Sequence, residues 1–149
     1  MNAAPSQVVV GYDGSDHARE ALNEVRRIAQ PGATVTVVYA HRVPPELQYY
    51  EFFQDVLVDL ERGAKEKVQS ARKAFEGADL HVSYEVRRGG PGEVLADVAR
   101  EQKADLIVMG SRGRGRVRSA VGSAVLDVLH DSPCPVSIVP PHGRPDKPS

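Results

Sequence analysis

A single cysteine and the absence of long apolar runs exclude several classes of protein. With only Cys134 among 149 residues, the chain cannot build an intramolecular disulfide framework, and it suits a reducing compartment. No apolar run is long enough to cross a bilayer, and residues 1–7 lack the apolar centre of a signal peptide. We therefore expect a cytoplasmic protein that does not bind membranes.

An excess of charge of either sign is missing as well. Lys and Arg number 19 and Asp and Glu number 20, a formal net charge of −1, so nothing global predicts nucleic-acid binding. Against this balance, the arginines between Arg112 and Arg118 form a local basic concentration. With 41% hydrophobic residues, the chain can bury one core. We expect one domain over residues 1–140 and a disordered, proline-bearing tail over 141–149.

Short apolar runs alternate with helical periodicity along the chain. The runs predict strands at 8–10, 35–40, 80–87, 106–109 and 136–139. Between them, apolar residues at steps of three and four predict helices that begin at Ser15, Phe53, Pro91 and Ser123. The second helix is predicted to reach Phe75, and the fourth to bury Val121, Val125 and Leu129. Five alternating units of this kind predict an α/β fold, a five-stranded parallel sheet with helices on both faces.

The strands differ in how apolar they are, and this predicts their order in the sheet. The first and the fourth are uniformly apolar, as central strands are. In 80–87 apolar and polar residues alternate, and the last strand, 136–139, is flanked by prolines; both patterns are typical of edge strands. The order 3-2-1-4-5 satisfies these requirements. It places the topological switch point between the first and fourth strands.

Two turns meet at that switch point, where open α/β sheets bind ligands in a crevice outside the carboxyl ends of the strands. One is Asp13-Gly14-Ser15, and the other is the glycine-rich stretch from Gly110 to Gly115. Glycine-rich turns expose backbone N–H groups, and a helix that starts just beyond adds unpaired donors and the positive end of its dipole. The arrangement suits a phosphate group, and the alternative is a flexible basic surface loop.

Two widespread phosphate-binding motifs do not fit the glycine-rich stretch. Gly110 and Gly115 have the spacing of a Walker A loop, but Arg116 and Val117 stand where that motif needs a lysine and a hydroxyl residue. The Gly-x-Gly within the stretch could begin a dinucleotide-binding fingerprint. However, Arg118 occupies the third glycine position, and the stretch follows the fourth strand rather than the first.

A third glycine pattern does fit a known family. Gly110, Gly113, Gly122 and Ser123 resemble the motif G-x2-G-x9-G-[ST] of ATP-binding universal stress proteins, with one residue fewer before Gly122. The resemblance covers nearly the whole chain and includes 10–15, 90–91, 105–113 and 134–136. It implies an ATP-binding member of that family, with a Rossmann-like fold of the adenine nucleotide alpha hydrolase-like type.

The resemblance also implies where the parts of ATP would lie. Asp13 and Ala40 would be at the adenine–ribose end, and Ala40 stands where the family more often has valine. Beside the ribose would lie Met109 and Gly110, and the phosphates would be held by Gly113, Gly122, Ser123 and Ala124. The same resemblance implies a homodimer paired through the last strand.

Several of these residues also have a purely structural interpretation. Asp13 is either a nucleotide ligand, and then the best candidate for holding Mg²⁺ on a triphosphate, or an Asx-turn residue. Ser123 is predicted to be the N-cap of its helix, a role that is compatible with phosphate binding. One or two arginines of the basic stretch, with Arg112 among the candidates, are expected to reach the phosphates. The alternative for all of them is a solvated basic loop.

No group of residues resembles a catalytic machine. The histidines are scattered without metal-ligand spacing and are expected at surface or helix-end positions: His17, His41, His81, His130 and His142. Cys134 is expected to be packed rather than reactive. Because nothing supplies a clear base for an attacking water, we expect an ATP-binding stress-response or signalling protein and not an enzyme. The competing hypotheses are a nucleotide-free interaction module of the same fold and a slow ATP hydrolase.

Overall fold

The computed structural model describes residues 4–111 and 122–140, which contain five strands and four α-helices. In chain order these are β1 (Gln7–Gly11), α1 (Asp16–Ile28), β2 (Ala33–His41), α2 (Phe53–Gln69), β3 (Leu80–Arg88), α3 (Pro91–Gln102), β4 (Leu106–Gly110), α4 (Ser123–Asp131) and β5 (Val136–Val139). Short 3₁₀ segments, Pro45–Tyr49 and Ser70–Phe75, flank α2. The basic stretch 112–118 and the tail 141–149 lie outside the described residues. No helix in the described ranges is long and apolar enough to cross a membrane.

The strands form one parallel sheet in the order β3-β2-β1-β4-β5. The predicted α/β fold and strand order are therefore confirmed. Val8, Val9 and Val10 of β1 are buried, as are Ile107 and Val108 of β4. Both faces of these central strands are covered by helices, which explains why their sequences are apolar without alternation.

Two hydrophobic cores lie on opposite faces of the sheet. α1 and α2 cover the face that carries Val8, Val10 and Val35. α3 and α4 cover the face that carries Val9 and Ile107. Alternate residues of β1 thus enter different cores, as the two-residue period of a strand requires. This arrangement leaves the carboxyl ends of β1 and β4 side by side between the two layers of helices.

Two predicted helical features were wrong in detail. The helix predicted to reach Phe75 ends at Gln69 and continues as the 3₁₀ segment Ser70–Phe75. The Ser70 N–H is shared among three carbonyl groups of the last turn, which tightens the chain while Phe75 stays buried. On α4, Leu129 is 53% exposed and Val128 is buried instead. With Val125 on the core face, position i+3 and not i+4 falls on the narrow buried stripe of this short helix. Val121 lies outside the described residues.

Candidate functional site

The turn between β1 and α1 is shaped by its own side chains. Gly14 has a φ of 83°, a conformation that residues with a Cβ atom rarely adopt. Oδ1 of Asp13 accepts a hydrogen bond from the Ser15 N–H at 2.9 Å, which confirms the Asx turn. Oγ of Ser15 accepts one from the Ala18 N–H at 3.2 Å, which confirms Ser15 as the N-cap of α1. The geometry of Asp13 is thus set by the turn, and its second carboxylate oxygen has no part in it.

The end of β4 lies directly against the first turn of α1. A Cβ atom placed on Gly110 would be 2.6 Å from the Cβ of His17 and 2.7 Å from the main-chain carbon of His17. Gly110 is buried, so the close approach of α1 by itself explains why a glycine stands here. The end of β4 therefore contacts the start of α1, the helix that follows the Asp13–Ser15 turn, at the predicted switch point.

Ser111, the residue after β4, makes hydrogen bonds to three different elements. Its N–H donates to the carbonyl group of Val139 in β5 at 3.0 Å, and its carbonyl accepts from the Gly122 N–H at 3.2 Å. Its Oγ lies 3.2 Å from Nδ1 of His17 in α1. Ser111 therefore connects the end of β4 to the start of α4, because it is bonded to Gly122 across the intervening segment 112–121.

The bond between Gly122 and Ser111 brings the N-terminus of α4 to the crevice. Gly122 is the N-cap, with φ −62° and ψ 150°, and no side chain caps the helix. The prediction of Ser123 as N-cap was wrong. Gly122 still has extended backbone angles and its N–H bonds to Ser111, whereas Ser123 is already helical. The first N–H groups of a helix have no intrahelical acceptor. Within the described part of the chain, those of Ser123 and Ala124 are consequently free to bind an anion.

The other predicted site residues differ in how they face the crevice. Ala40 is half-buried near the carboxyl end of β2 and packs against the margin of the second core. Met109 is buried, and its side chain belongs to the core under α3 and α4, which leaves only its main chain for ligand contacts. Arg112 and Gly113 lie outside the described residues.

Comparison with known proteins decides the family. Residues 6–140 match the Universal stress protein family. The chain belongs to this family. A universal stress protein encoded in the QAH/OAS sulfhydrylase 3′ region of Thermus aquaticus is 38% identical to it over 135 residues, which is 89% of this chain and 96% of the relative.

Solved structures share the fold of this universal stress protein. Hypothetical protein MJ0577 of Methanocaldococcus jannaschii superposes with a TM-score of 0.83 at 24% identity, covering 95% of this chain and 99% of that chain. A universal stress protein in complex with cAMP has a TM-score of 0.58 at 30% identity, with 92% and 98% of the two chains covered. The first likeness concerns the fold alone, and the second extends to sequence.

Residues 4–111 and 122–140 of this universal stress protein contain no group of three or more His, Cys, Asp or Glu side chains suited to a metal ion. Asp13 alone would hold Mg²⁺ only together with oxygen atoms of a ligand. Cys134 is half-buried at the margin of the second core, and its N–H donates to Oγ of Ser132 at 3.2 Å. Burial raises the pKa of the Cys134 thiol, which disfavours the reactive thiolate, as the packed interpretation predicts.

His17 is the residue of this site that the sequence did not reveal. The scattered histidines are predicted at surface or helix-end positions, and His17 does lie in the first turn of α1, but it is also half-buried and contacts both Gly110 and Ser111. Its hydrogen bond with Ser111 joins residues 94 positions apart, which no local pattern can show. The position of His17 in the chain was the one available clue. It lies in the first turn of the helix after β1, and at a topological switch point that turn must face the loop after the neighbouring strand.

Proposed function

We propose that this universal stress protein binds ATP in the crevice, with the phosphates at the N-terminus of α4 and the adenosine toward β2. The observation that carries the proposal is the hydrogen bond between Gly122 and Ser111, which joins the uncapped N-terminus of α4, with the first N–H groups of Ser123 and Ala124, to the end of β4. With a glycine at the N-cap, the N-cap itself places no side chain between these donors and a phosphate. The motif formed by Gly110, Gly113, Gly122 and Ser123 supports ATP as the ligand.

The adenosine end also fits the residues present. Ala40, at the carboxyl end of β2, offers a small apolar surface for a base. Asp13 has one carboxylate oxygen engaged by Ser15, and its other oxygen can accept a hydrogen bond from a ribose hydroxyl. In the same position it can take part in holding Mg²⁺, provided that the phosphates of ATP complete the coordination.

Binding without turnover is the activity that suits these groups. A general base must be placed within reach of an attacking water. In the described part of the crevice, Oδ1 of Asp13 accepts from Ser15 and Nδ1 of His17 pairs with Ser111, and we assign the second oxygen of Asp13 to the ribose or to Mg²⁺ and not to a water. We therefore propose a protein that signals a stress condition through nucleotide occupancy.

A cyclic nucleotide is the second candidate, because the 30% identical structure described above is a complex with cAMP. cAMP carries a single phosphodiester charge, whereas ATP carries a triphosphate. Several N–H donors at one helix end, together with the arginines between Arg112 and Arg118 that precede this helix in the sequence, match the larger charge better. ATP is therefore the first choice.

Mass spectrometry of the small molecules released on denaturing freshly purified protein tests the proposal. Titration calorimetry with ATP, cAMP and adenosine then ranks their affinities. We expect ATP to be recovered and to bind most tightly. Recovery and tighter binding of cAMP would assign the crevice to a cyclic nucleotide. A protein that releases no nucleotide and binds none would instead be an interaction module of the same fold.

A further inference from the structure

The three hydrogen bonds of Ser111 make it the point on which the start of α4 depends. Two of them are made by its main chain, to Val139 and Gly122, and both persist only while the main chain keeps its orientation. The side chain is the one part of Ser111 that can hold this orientation from outside. Oγ does so through Nδ1 of His17 at 3.2 Å.

His17 is itself held firmly in place. It lies in the first turn of α1, which is capped by Ser15, and its main chain and Cβ pack against Gly110. A side chain with so little freedom can fix a partner without a large loss of its own entropy. The imidazole can serve in either tautomer, since the hydroxyl of Ser111 can both donate and accept.

We propose that His17 is a positioning residue for the phosphate site: it orients Ser111, and through Ser111 it holds the N-terminus of α4 in its binding position. This inference rests on the proposed ATP-binding function for its effect on affinity. Its effect on the Ser111–Gly122 connection does not depend on any ligand. His17 needs no contact with the nucleotide for this role.

Four variants and one control separate positioning from packing. His17→Leu replaces the imidazole by an apolar side chain that can still pack against Gly110, and it removes the hydrogen bond. Ser111→Ala removes the same hydrogen bond by deleting Oγ. His17→Asn places a polar atom at the same number of bonds from the backbone as Nδ1. The double variant of His17→Leu and Ser111→Ala tests whether the two residues act through one contact. His81→Leu, on the exposed side of β3, is the matched control.

Calorimetry on these variants gives the first readout. We expect His17→Leu and Ser111→Ala each to weaken ATP binding about fivefold to tenfold, as loss of one hydrogen bond does, with adenosine affinity changed less than about twofold. The double variant should be no weaker than either single variant by more than about twofold. His17→Asn and His81→Leu should bind ATP as the unmodified protein does. Equal losses for ATP and adenosine, fully additive losses, or failure of the asparagine to rescue would each overturn the proposal.

Hydrogen exchange on the ligand-free protein gives a second, independent readout. We expect the amides of Gly122 and Ser111 to exchange about fivefold to tenfold faster in His17→Leu, and at the normal rate in His17→Asn. If the unmodified protein binds no ATP but these amides respond as stated, the ATP proposal fails and the positioning role stands. If the amides exchange at the normal rate in His17→Leu, the positioning role is refuted whatever the affinity for ATP.

Discussion

Gly110 is a residue whose lack of a side chain has a measurable consequence for stability. An added methyl group would lie within 2.8 Å of three atoms of His17, two of them main-chain atoms that belong to α1. Because a helix backbone cannot move as freely as a side-chain tip, Gly110→Ala must push α1 away from β4. We expect the free energy of unfolding to fall by about 1–3 kcal/mol, as for other overpacked core positions, measured by urea denaturation.

Gly63 supplies the control for this substitution. It lies in the exposed middle of α2, with no atom within 4 Å of an added Cβ. Gly63→Ala should stabilise the protein by roughly 0.5–1 kcal/mol, since alanine has the higher helix propensity. A Gly110→Ala protein that is as stable as the unmodified one would show that the contact with His17 is less tight than described.

Gly122 tests the ligand site and not the fold. Its φ of −62° and ψ of 150° are extended values that valine adopts readily, so Gly122→Val adds a side chain without backbone strain. If phosphates approach this position, loss of one charge-assisted contact should weaken ATP binding about tenfold or more, at a cost of roughly 1.5–3 kcal/mol. Calorimetry on Gly122→Val and on the exposed control Gly63→Val measures this. A folded Gly122→Val protein with normal ATP affinity would place the phosphates elsewhere.

At the residue scale, the sequence predicted the hydrogen bonds that join residues close together in the chain. The Asx turn at Asp13 and the N-cap at Ser15 involve residues two and three positions apart, and both are confirmed. Ser123 was misassigned because the preference of serine for N-caps ignores the Gly122–Ser111 bond, which fixes where the helix begins. The contact of His17 with Ser111 depends on the folded sheet and leaves no local pattern.

At the scale of elements, β3 is an edge strand that an ion pair joins to α3. Arg87 donates two hydrogen bonds of 2.7 Å to the carboxylate of Glu101. These bonds lower the pKa of the Glu101 carboxyl. A carboxyl with a lowered pKa in the folded state stabilises the fold above its ordinary pKa, and this contribution is lost as the pH falls through the folded-state value. Glu101→Gln should therefore lower the melting temperature near pH 7 by a few degrees at most, with a difference that vanishes near pH 2.

Glu66→Gln is the matched control for the ion pair. Glu66 is exposed on α2, and its carboxylate makes no ion pair with any residue in the described ranges. Scanning calorimetry of both variants at several pH values would show the effect. A melting temperature that depends on pH equally in both variants would mean that the pair between Arg87 and Glu101 adds nothing beyond general charge.

We propose that the other edge strand, β5, pairs with β5 of a second copy in a homodimer. Val136 and Ile138 are only half-buried there, and on the adjacent α4 Leu126 and Leu129 are 59% and 53% exposed. An edge that no other strand of the described residues covers, beside exposed leucines, favours self-association. Light scattering should show a dimer that Val136→Asp weakens.

Two further variants protect this test against misfolding and against a general charge effect. Leu126→Glu changes an exposed side chain, so it should weaken the dimer while leaving the fold intact. Val58→Asp adds a charge at a site 61% exposed on α2, which packs over β2 and β3 near the opposite edge, and should leave the dimer unchanged. An unmodified protein that is monomeric at high micromolar concentration would refute the pairing.

The strands were easier to predict than the helix ends, because the burial of a strand on one or both faces leaves a regular pattern in its sequence. The first and fourth strands were placed at the centre because both of their faces are covered, and the alternation in 80–87 marked an edge; the order of the sheet confirms both. The ends of the helices and their buried stripes were less predictable. Leu129 and Val128 differ little in character, and only the packing of α4 against α3 and the sheet decides which of them is buried.

At the scale of the whole molecule, a ligand that binds only the folded state raises its stability. The gain is RT ln(1 + [L]/Kd), about 2.7 kcal/mol when ATP is in hundredfold excess over its Kd. For a protein of this size, that corresponds to a rise in melting temperature of roughly 5–10 °C. We expect this rise with ATP and Mg²⁺ and almost none with adenosine at the same concentration. Equal shifts in thermal denaturation for both would show that the N-terminus of α4 is not the main anchor.

The hydrogen bond between Ser111 and Gly122 has a consequence for how the length of the intervening segment can change. It closes a ring of chain around ten residues, where the family motif would enclose eleven. Closure entropy grows only with the logarithm of the number of enclosed residues, so one residue alters the cost of closing the ring by about 0.1 kcal/mol. That is far below thermal energy. A one-residue insertion or deletion between these two positions should therefore change the stability of the fold very little, which leaves the length of this ring open to adjustment for ligand binding.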